Sequence, residues 1–290
     1  MIIGKDSEEL IKLLKRRDVC LYHACQLTDF DSCLAVGGIP SRDCLQKAKL
    51  PFTKFATDEI DCAKGVWDKV FLNLSDFGQW FFKEKMNTPN PYGPILFLID
   101  PLAFKETIDV AICLRSAGAE DFSREEEALG LADVDKMFAC SVDEGPPRSA
   151  WIKFGGAIRA TFPGHKVGEP EISCTFPEGK LPWKYVKSVL VDPYQVNSKR
   201  LADHVRKRCS LRGVKLDVEE RKCSNQRKSM LNEFGLIVIG GTPSLQDLSR
   251  SKSVSPELQS WAKNMKTPEW GYRRYSDYLR EGTLSPMSSE

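Results

Sequence analysis

Four groups of residues in this sequence could do chemistry. Leu21-Tyr22-His23-Ala24-Cys25 places an imidazole two residues from a thiol, with Cys20 just ahead. Gly65 to Ser75 is an aromatic and aliphatic stretch that ends on a hydroxyl. Glu169-Pro170-Glu171-Ile172 spaces two carboxylates two apart, which on a strand would put both on one face. Carboxylates so placed can act as a base or stabilise an oxocarbenium-like state, as in glycoside hydrolysis. Cys20 or Cys25 with His23 offers a rival nucleophile and base, although catalytic thiols normally take their base from elsewhere in the fold. The fourth group is the segment 199–228, which holds eleven basic and four acidic residues. It can attract phosphates through counterion release or simply be a solvated helix face. The usual phosphate-binding and nucleophile motifs are absent: there is no G-x-x-x-x-G-K-S/T loop, no G-x-G-x-x-G turn and no G-x-S-x-G elbow.

The first three pieces, in this order, resemble the histidine-bearing branch of the ADP-ribosyltransferase superfamily. Within that branch they look most like the DarT family, whose members modify nucleic-acid bases. The carriers are Tyr22-His23-Ala24-Cys25 with a helix ending at Gly37-Gly38, the strand running to Ser75, and Glu169-Pro170-Glu171 before Glu171-Ile172-Ser173-Cys174. The resemblance spans roughly residues 19–192 and implies NAD as co-substrate. It implies that Glu171 stabilises the ribose cation and binds the 2′-hydroxyl, and that Glu169 contacts the acceptor or serves as base. His23 would bond a ribose hydroxyl, the backbone at Ala24 would hold the nicotinamide amide, and Cys25 stands where the family shows threonine. Ser75 would take the middle motif position. Trp67, Phe71, Trp80 or Tyr92 would stack on the nicotinamide ring. The family's arginine has no match, because no arginine lies between Arg42 and Arg115. Arg42, Lys54 and Lys64 are the cations nearby, and lysine cannot copy a bidentate fork.

The acceptor implied is single-stranded DNA or RNA, with a phosphate track of Arg200, Arg206, Lys207, Arg208 and Arg212. Tyr272-Arg273-Arg274-Tyr275 interleaves rings and charges as single-strand binders do; docking of a partner protein is the other reading. The resemblance also implies a toxin of a toxin–antitoxin or antiphage system, held in check by an antitoxin protein. Two other readings stay open: a binding module on the same fold without catalysis, and a transferase that modifies protein.

Each candidate has a structural alternative as well. A strand-start glutamate is ordinarily exposed, a histidine can be a core residue bonded to a carbonyl, and Ser75 can cap a helix.

The elements that must position these groups are short. Asp6 with Glu9 offers a capping box for a helix from Ser7 to about Arg17, and 19–24 reads as a strand. Thr28 or Asp29 can cap a second helix stopped by Gly37-Gly38. Residues 66–74 and the buried run Ile95 to Ile99 read as strands. A helix is expected after Ser75-Asp76, a short one after Ser123, and a strand over 134–142. Strands at 171–176 and 185–191, a basic helix from Asn197 or Ser198 to about Cys209, and strands at 214–218 and 235–239 complete the pattern. Helices first and strands later favour α+β, and the resemblance makes the core an ADP-ribosyltransferase-like split antiparallel sheet with short flanking helices. The expected organisation is a catalytic core over 1–192, a basic extension over 193–241 packed on it, and a polar tail over 242–290.

Composition agrees with a globular chain: 290 residues, 41% hydrophobic and 28% charged. The net charge of +2 hides an asymmetry. Residues 1–150 hold 18 basic and 25 acidic side chains, and residues 151–290 hold 24 and 15. The ten cysteines are scattered without a C-x-x-C pair, and the three histidines have no zinc-ligand spacing, so no metal site is expected. The N-terminus turns polar at once and no apolar run approaches the ~20 residues a bilayer needs. The expectation is a cytoplasmic protein with reduced thiols and no membrane contact.

Overall fold

Leu10, Ile11 and Leu14 recur at helical spacing and are buried on α1, Lys5–Arg16. The computed structural model describes residues 1–52, 58–76, 93–139, 153, 155–193, 195–196 and 199–223. Helix α1 is entered through Gly4, whose φ of 55° suits glycine, and not through the Asp6/Glu9 capping box. Glu9 instead pairs with Lys12 within the helix at 2.7 Å. Strand β1, Leu21–Cys25, leads into α2, Leu27–Val36. Gln26 caps α2 and its N–H donates to Asp29 at 3.4 Å, so the cap precedes the Thr28/Asp29 position read from sequence. Gly37, left-handed at φ 79°, ends the helix as expected.

The chain continues through β2, Gly38–Pro40, α3, Arg42–Lys47, α4, Asp58–Ala63, and β3, Val70–Leu72. The strand expected over 66–74 is shorter because Val66 closes a turn, its carbonyl accepting from the Lys69 N–H at 3.0 Å. Next come β4, Ile95–Ile99, β5, Asp109–Cys113, α5, Arg124–Glu127, and α6, Leu131–Val134. The strand expected over 134–142 is corrected, since Val134 ends a helix and Asp135–Met137 is a 3-10 turn. Buried Val134, Met137 and Phe138 lie three and four apart, the spacing of a helical face. Then follow α7, Gly155–Thr161, β6, Glu171–Thr175, β7, Lys180–Pro182, and β8, Val186–Val191. The last described elements are β9, Gln195–Val196, β10, Lys199–Arg200, α8, Leu201–Leu211, and β11, Val218–Glu220. The helix expected after Ser75-Asp76, the strand at 235–239 and the tail over 242–290 lie outside the described residues.

Two sheets carry the site. One has the order β1-β4-β8-β11, antiparallel except for β11, which runs parallel to β8. The other is antiparallel with the order β3-β6-β5. They meet at one bridge, where Tyr22 N–H donates to the Asn73 carbonyl at 2.9 Å and Asn73 N–H returns the bond at 2.8 Å. Beyond it β1 and β3 share no strand pairing among the described residues. The sheet is therefore split, and mainly antiparallel as expected.

The apolar run on β4 forms the centre of the first sheet. Ile95, Leu96, Phe97 and Ile99 are at most 1% exposed, as expected of a strand covered on both faces. Phe97 stacks on Phe30 of α2 at 5.8 Å and meets Trp183 at 5.6 Å. In the second sheet, buried Arg124 joins β5 to β6 by donating to Ser173 Oγ at 2.8 Å and to Asp109. Helix α8 buries Leu201, Ala202, Val205 and Cys209, and β11 adds an edge strand to the first sheet. The strand read over 214–218 thus begins only at Val218. No described helix is long and apolar enough to cross a membrane.

Candidate functional site

The split between β1 and β3 sets the geometry. His23 sits on β1, and its Nδ1 lies 2.8 Å from the main-chain oxygen of Phe71 on β3. A carbonyl can only accept, so Nδ1 carries the proton and Nε2 keeps its lone pair. Burial holds the imidazole pKa below its ordinary value, and the nearby Arg42 charge acts in the same direction against Asp29. His23 is therefore neutral near pH 7, with one nitrogen committed and the other an acceptor. The core-histidine reading and the ligand reading describe two different nitrogens of the same ring. Ala24 follows on β1. Because Tyr22 turns its N–H and C=O toward Asn73, alternation turns those of Ala24 to the same edge, into the split.

Glu171 heads β6 opposite Cys113 of β5. Its carboxylate accepts from Ser116 Oγ at 3.2 Å and from the Ala117 N–H at 3.0 Å. Burial nevertheless pushes its pKa up to about 7, with the charge of Asp61 adding to the rise. The turn that supplies both donors is braced by Arg115. That guanidinium donates to Glu127 at 2.6 and 2.5 Å, to Asp121 Oδ1 at 2.5 Å and to the Asp121 carbonyl at 2.9 Å. Lys166 holds the other Asp121 oxygen at 2.6 Å. Asn73 then connects the two halves, since its side-chain amide lies 3.5 Å from the carbonyl of Pro170, next to Glu171. Strand β3 and the residue after it thus position both His23 and Glu171.

The other predicted residues divide. Phe71 is on the face of β3 that meets Ser173, and it packs on the cluster of Val66, Ala111, Cys113, Ala117 and Phe122 under Glu171. Trp67 is in a turn, its indole N–H on Gln46 at 2.8 Å and its ring against Phe52 at 6.0 Å, so it braces α3. Ser75 follows β3 in a bend and is partly exposed. Glu169 lies in a bend ahead of β6, separated from it by Pro170, so strand alternation does not set it beside Glu171. Cys25 is 6% exposed; burial raises its thiol pKa well above the ordinary value, and a hydrogen bond with Cys33 adds to the rise. A buried, protonated thiol is a poor nucleophile, which weighs against the Cys–His alternative. Trp80, Tyr92 and Lys54 lie outside the described residues.

Two residues that carry no motif also belong here. Arg42 opens α3 with Nη1 3.6 Å from Asp29 and its guanidinium over the Phe52 ring at 4.9 Å. Its charge acts on His23 and on Asp61, which places it at the site where Lys64, in the turn after α4, gives no such sign. Asp61 on α4 is pushed up to about 6 by burial and by Asp58, and it acts electrostatically on Glu171. No spacing signal links residue 61 to residue 171; only the tertiary fold does.

The part of the basic segment from Arg200 to Arg212 lies on and beside the outer face of α8. Arg206, Lys207 and Arg212 are exposed there, and Arg200 is exposed just before it. Arg200 pairs with Asp203 at 3.2 Å and Glu220 at 3.7 Å, Arg206 with Asp203 at 3.0 Å, and Arg208 with Asp31 at 2.8 Å. Exposed pairs of this kind contribute only about 0–1 kcal/mol, so a phosphate can displace the carboxylate at small loss. Among the described residues no three His, Cys, Asp or Glu side chains gather as a metal site would require.

No protein-family model and no curated protein matches the chain. Among solved structures it is similar to Thermus sp. 2.9 DarT in complex with NAD+, at 12% identity and a TM-score of 0.39, covering 70% of this chain and 96% of that one. It is likewise similar to the same protein in complex with ADP-ribosylated ssDNA, at 13% identity and a TM-score of 0.40, covering 70% and 94%.

Proposed function

We propose that this protein is an NAD-dependent ADP-ribosyltransferase that modifies bases of single-stranded DNA or RNA. One observation carries the reading: a half-buried carboxylate, Glu171, and a neutral histidine of fixed tautomer, His23, are positioned by β3 and Asn73 at the split between two sheets. NAD fits the groups present. Nε2 of His23 can accept from a ribose hydroxyl, the Ala24 backbone offers an N–H and a C=O for a carboxamide, and Arg42 supplies a cation for phosphate. NAD would supply an ADP-ribosyl group on a positively charged leaving base.

Glu171 then has a defined task. Positive charge grows at the ribose carbon as the bond to nicotinamide breaks, and an ionised carboxylate stabilises it. The same low-dielectric setting that raises its pKa strengthens that interaction. Ser116 and Ala117 hold the carboxylate without being consumed, and Arg115 holds them. Glu169 and Asp61 are the carboxylates available to take the acceptor proton. The outer face of α8 supports a nucleic-acid acceptor, and the toxin role with an antitoxin partner follows from the sequence resemblance.

The test uses full-length protein, NAD, and single-stranded DNA and RNA oligonucleotides. A mass gain of one ADP-ribose on either polymer is expected. Absence of that gain on both, with Glu171→Ala indistinguishable from wild type in growing cells, overturns the reading.

A further inference from the structure

The guanidinium of Arg221 is 2% exposed, and it lies one residue past β11, in the basic extension. It donates to both carboxylate oxygens of Asp76, one of them at 2.7 Å. It also donates to the Gly93 carbonyl at 3.0 Å and to Asp192 Oδ1 at 3.4 Å. Asp192 is fully buried at the end of β8, and the Arg221 N–H fixes the arginine to Val191 of that strand at 2.7 Å.

These partners belong to different sides of the split. Asp76 follows Ser75 beyond β3, in the second sheet's connection. Gly93 precedes β4 of the first sheet, and its left-handed backbone (φ 65°) lies so close to Ala24 that an added Cβ would sit 2.5 Å from the Ala24 Cβ. One side chain therefore joins the residue beside Ser75 to the residue packed on Ala24. The Tyr22–Asn73 bridge and the His23–Phe71 hydrogen bond join β1 to β3, and Arg221 adds a tie between the residues beside Ala24 and Ser75. Its planar fork suits a bidentate carboxylate and a carbonyl together; a lysine ammonium, a point charge, does not.

We infer that Arg221 is a positioning residue for the NAD site, setting the spacing between the Ala24 edge of β1 and the Ser75 turn. This rests on the NAD reading of the split. A strand from the extension thereby completes a site built by the core, so the basic segment has a second role besides its charge.

The test compares steady-state NAD turnover, with a single-stranded oligonucleotide as acceptor, in full-length wild type, Arg221→Lys, Asp76→Asn and Arg17→Lys. Arg17 is the control: it is equally buried, is clamped to Asp135 at 2.6 Å and lies over the Phe138 ring, neither of them a residue of the candidate site. Arg221→Lys is expected to raise the KM for NAD about tenfold, and Asp76→Asn three- to tenfold, with kcat changed less than threefold. Arg17→Lys should lower the melting temperature and leave KM within twofold of wild type. Asp76 is partly exposed, so its asparagine variant keeps the test open if Arg221→Lys fails to fold. An unchanged KM in both site variants, or an equal rise in Arg17→Lys, overturns the inference alone. A wild type that consumes no NAD overturns the NAD reading and this inference with it.

Discussion

Glu171 should make the protein less stable at alkaline pH, and its replacement by glutamine should remove that penalty. Burial lifts the Glu171 pKa from 4.5 to about 7. Below the unfolded value both states are protonated. As pH rises from there, the unfolded chain releases its proton first, so stability is lost through the folded pKa and then stays level. Each pKa unit is about 1.36 kcal/mol, which sets a ceiling of about 3 kcal/mol well above neutrality. Partial solvent contact at the mouth of the site screens this to about 1–2 kcal/mol. Glutamine has the same shape, can still accept from the Ala117 N–H and never ionises. For a chain of this size the expected gain in melting temperature for Glu171→Gln is about 2–5 °C near pH 8.5, clearly smaller near pH 5 and gone only below about pH 4. The assay is differential scanning fluorimetry of both proteins across that range. Equal shifts at both ends, or a wild type that is the more stable above pH 8, would refute the burial argument.

Four further outcomes follow from the same geometry. Because Glu171 must be ionised to act, kcat/KM for NAD should rise through about pH 7 in wild type; a flat profile from pH 5.5 to 8.5 speaks against it. Arg115→Ala releases the turn that holds Ser116 and Ala117, and should lower kcat about ten- to a hundredfold while leaving nucleic-acid affinity intact, as judged by single-turnover kinetics and a filter-binding assay. Cys25→Ser should keep at least a third of the activity, and wild type should show no loss of activity through alkylation of Cys25 on the assay timescale; an inactive serine variant, or inactivation tracking Cys25 labelling, would revive the thiol mechanism. Replacing Lys207 and Arg212 together by glutamate should reduce the slope of log affinity against log salt for single-stranded nucleic acid by about 1.4, and an unchanged slope would remove α8 from the interface.

The sheet was legible from sequence where apolar pattern was strong. Ile95 to Ile99 and the strands starting at Glu171 and Val186 form close to where their patterns place them, because each is buried on a face the alternation or the run declares. Local turn chemistry was harder. Gly4 outcompetes the Asp6/Glu9 box, and Val134 to Phe138 buries a helical face where a strand was expected, since tertiary packing and not propensity decides such short segments. Of the candidate site, His23, Ala24 and Glu171 were visible as motif residues. Asn73, Ser116, Ala117, Asp61 and Arg221 were not, since each acts through a contact between segments distant along the chain. Trp67 has a packing role as well, its indole N–H bonded to Gln46 of α3.

The most direct test of the account separates chemistry from binding at Glu171. Nicotinamide release and NAD affinity are measured side by side for wild type and Glu171→Gln, by product chromatography and isothermal titration. The predicted result is a fall in turnover of about 10²–10³-fold with the NAD dissociation constant within threefold of wild type. Turnover equal to wild type, or loss of binding with turnover unimpaired at saturation, would contradict the role assigned to the Glu171 carboxylate.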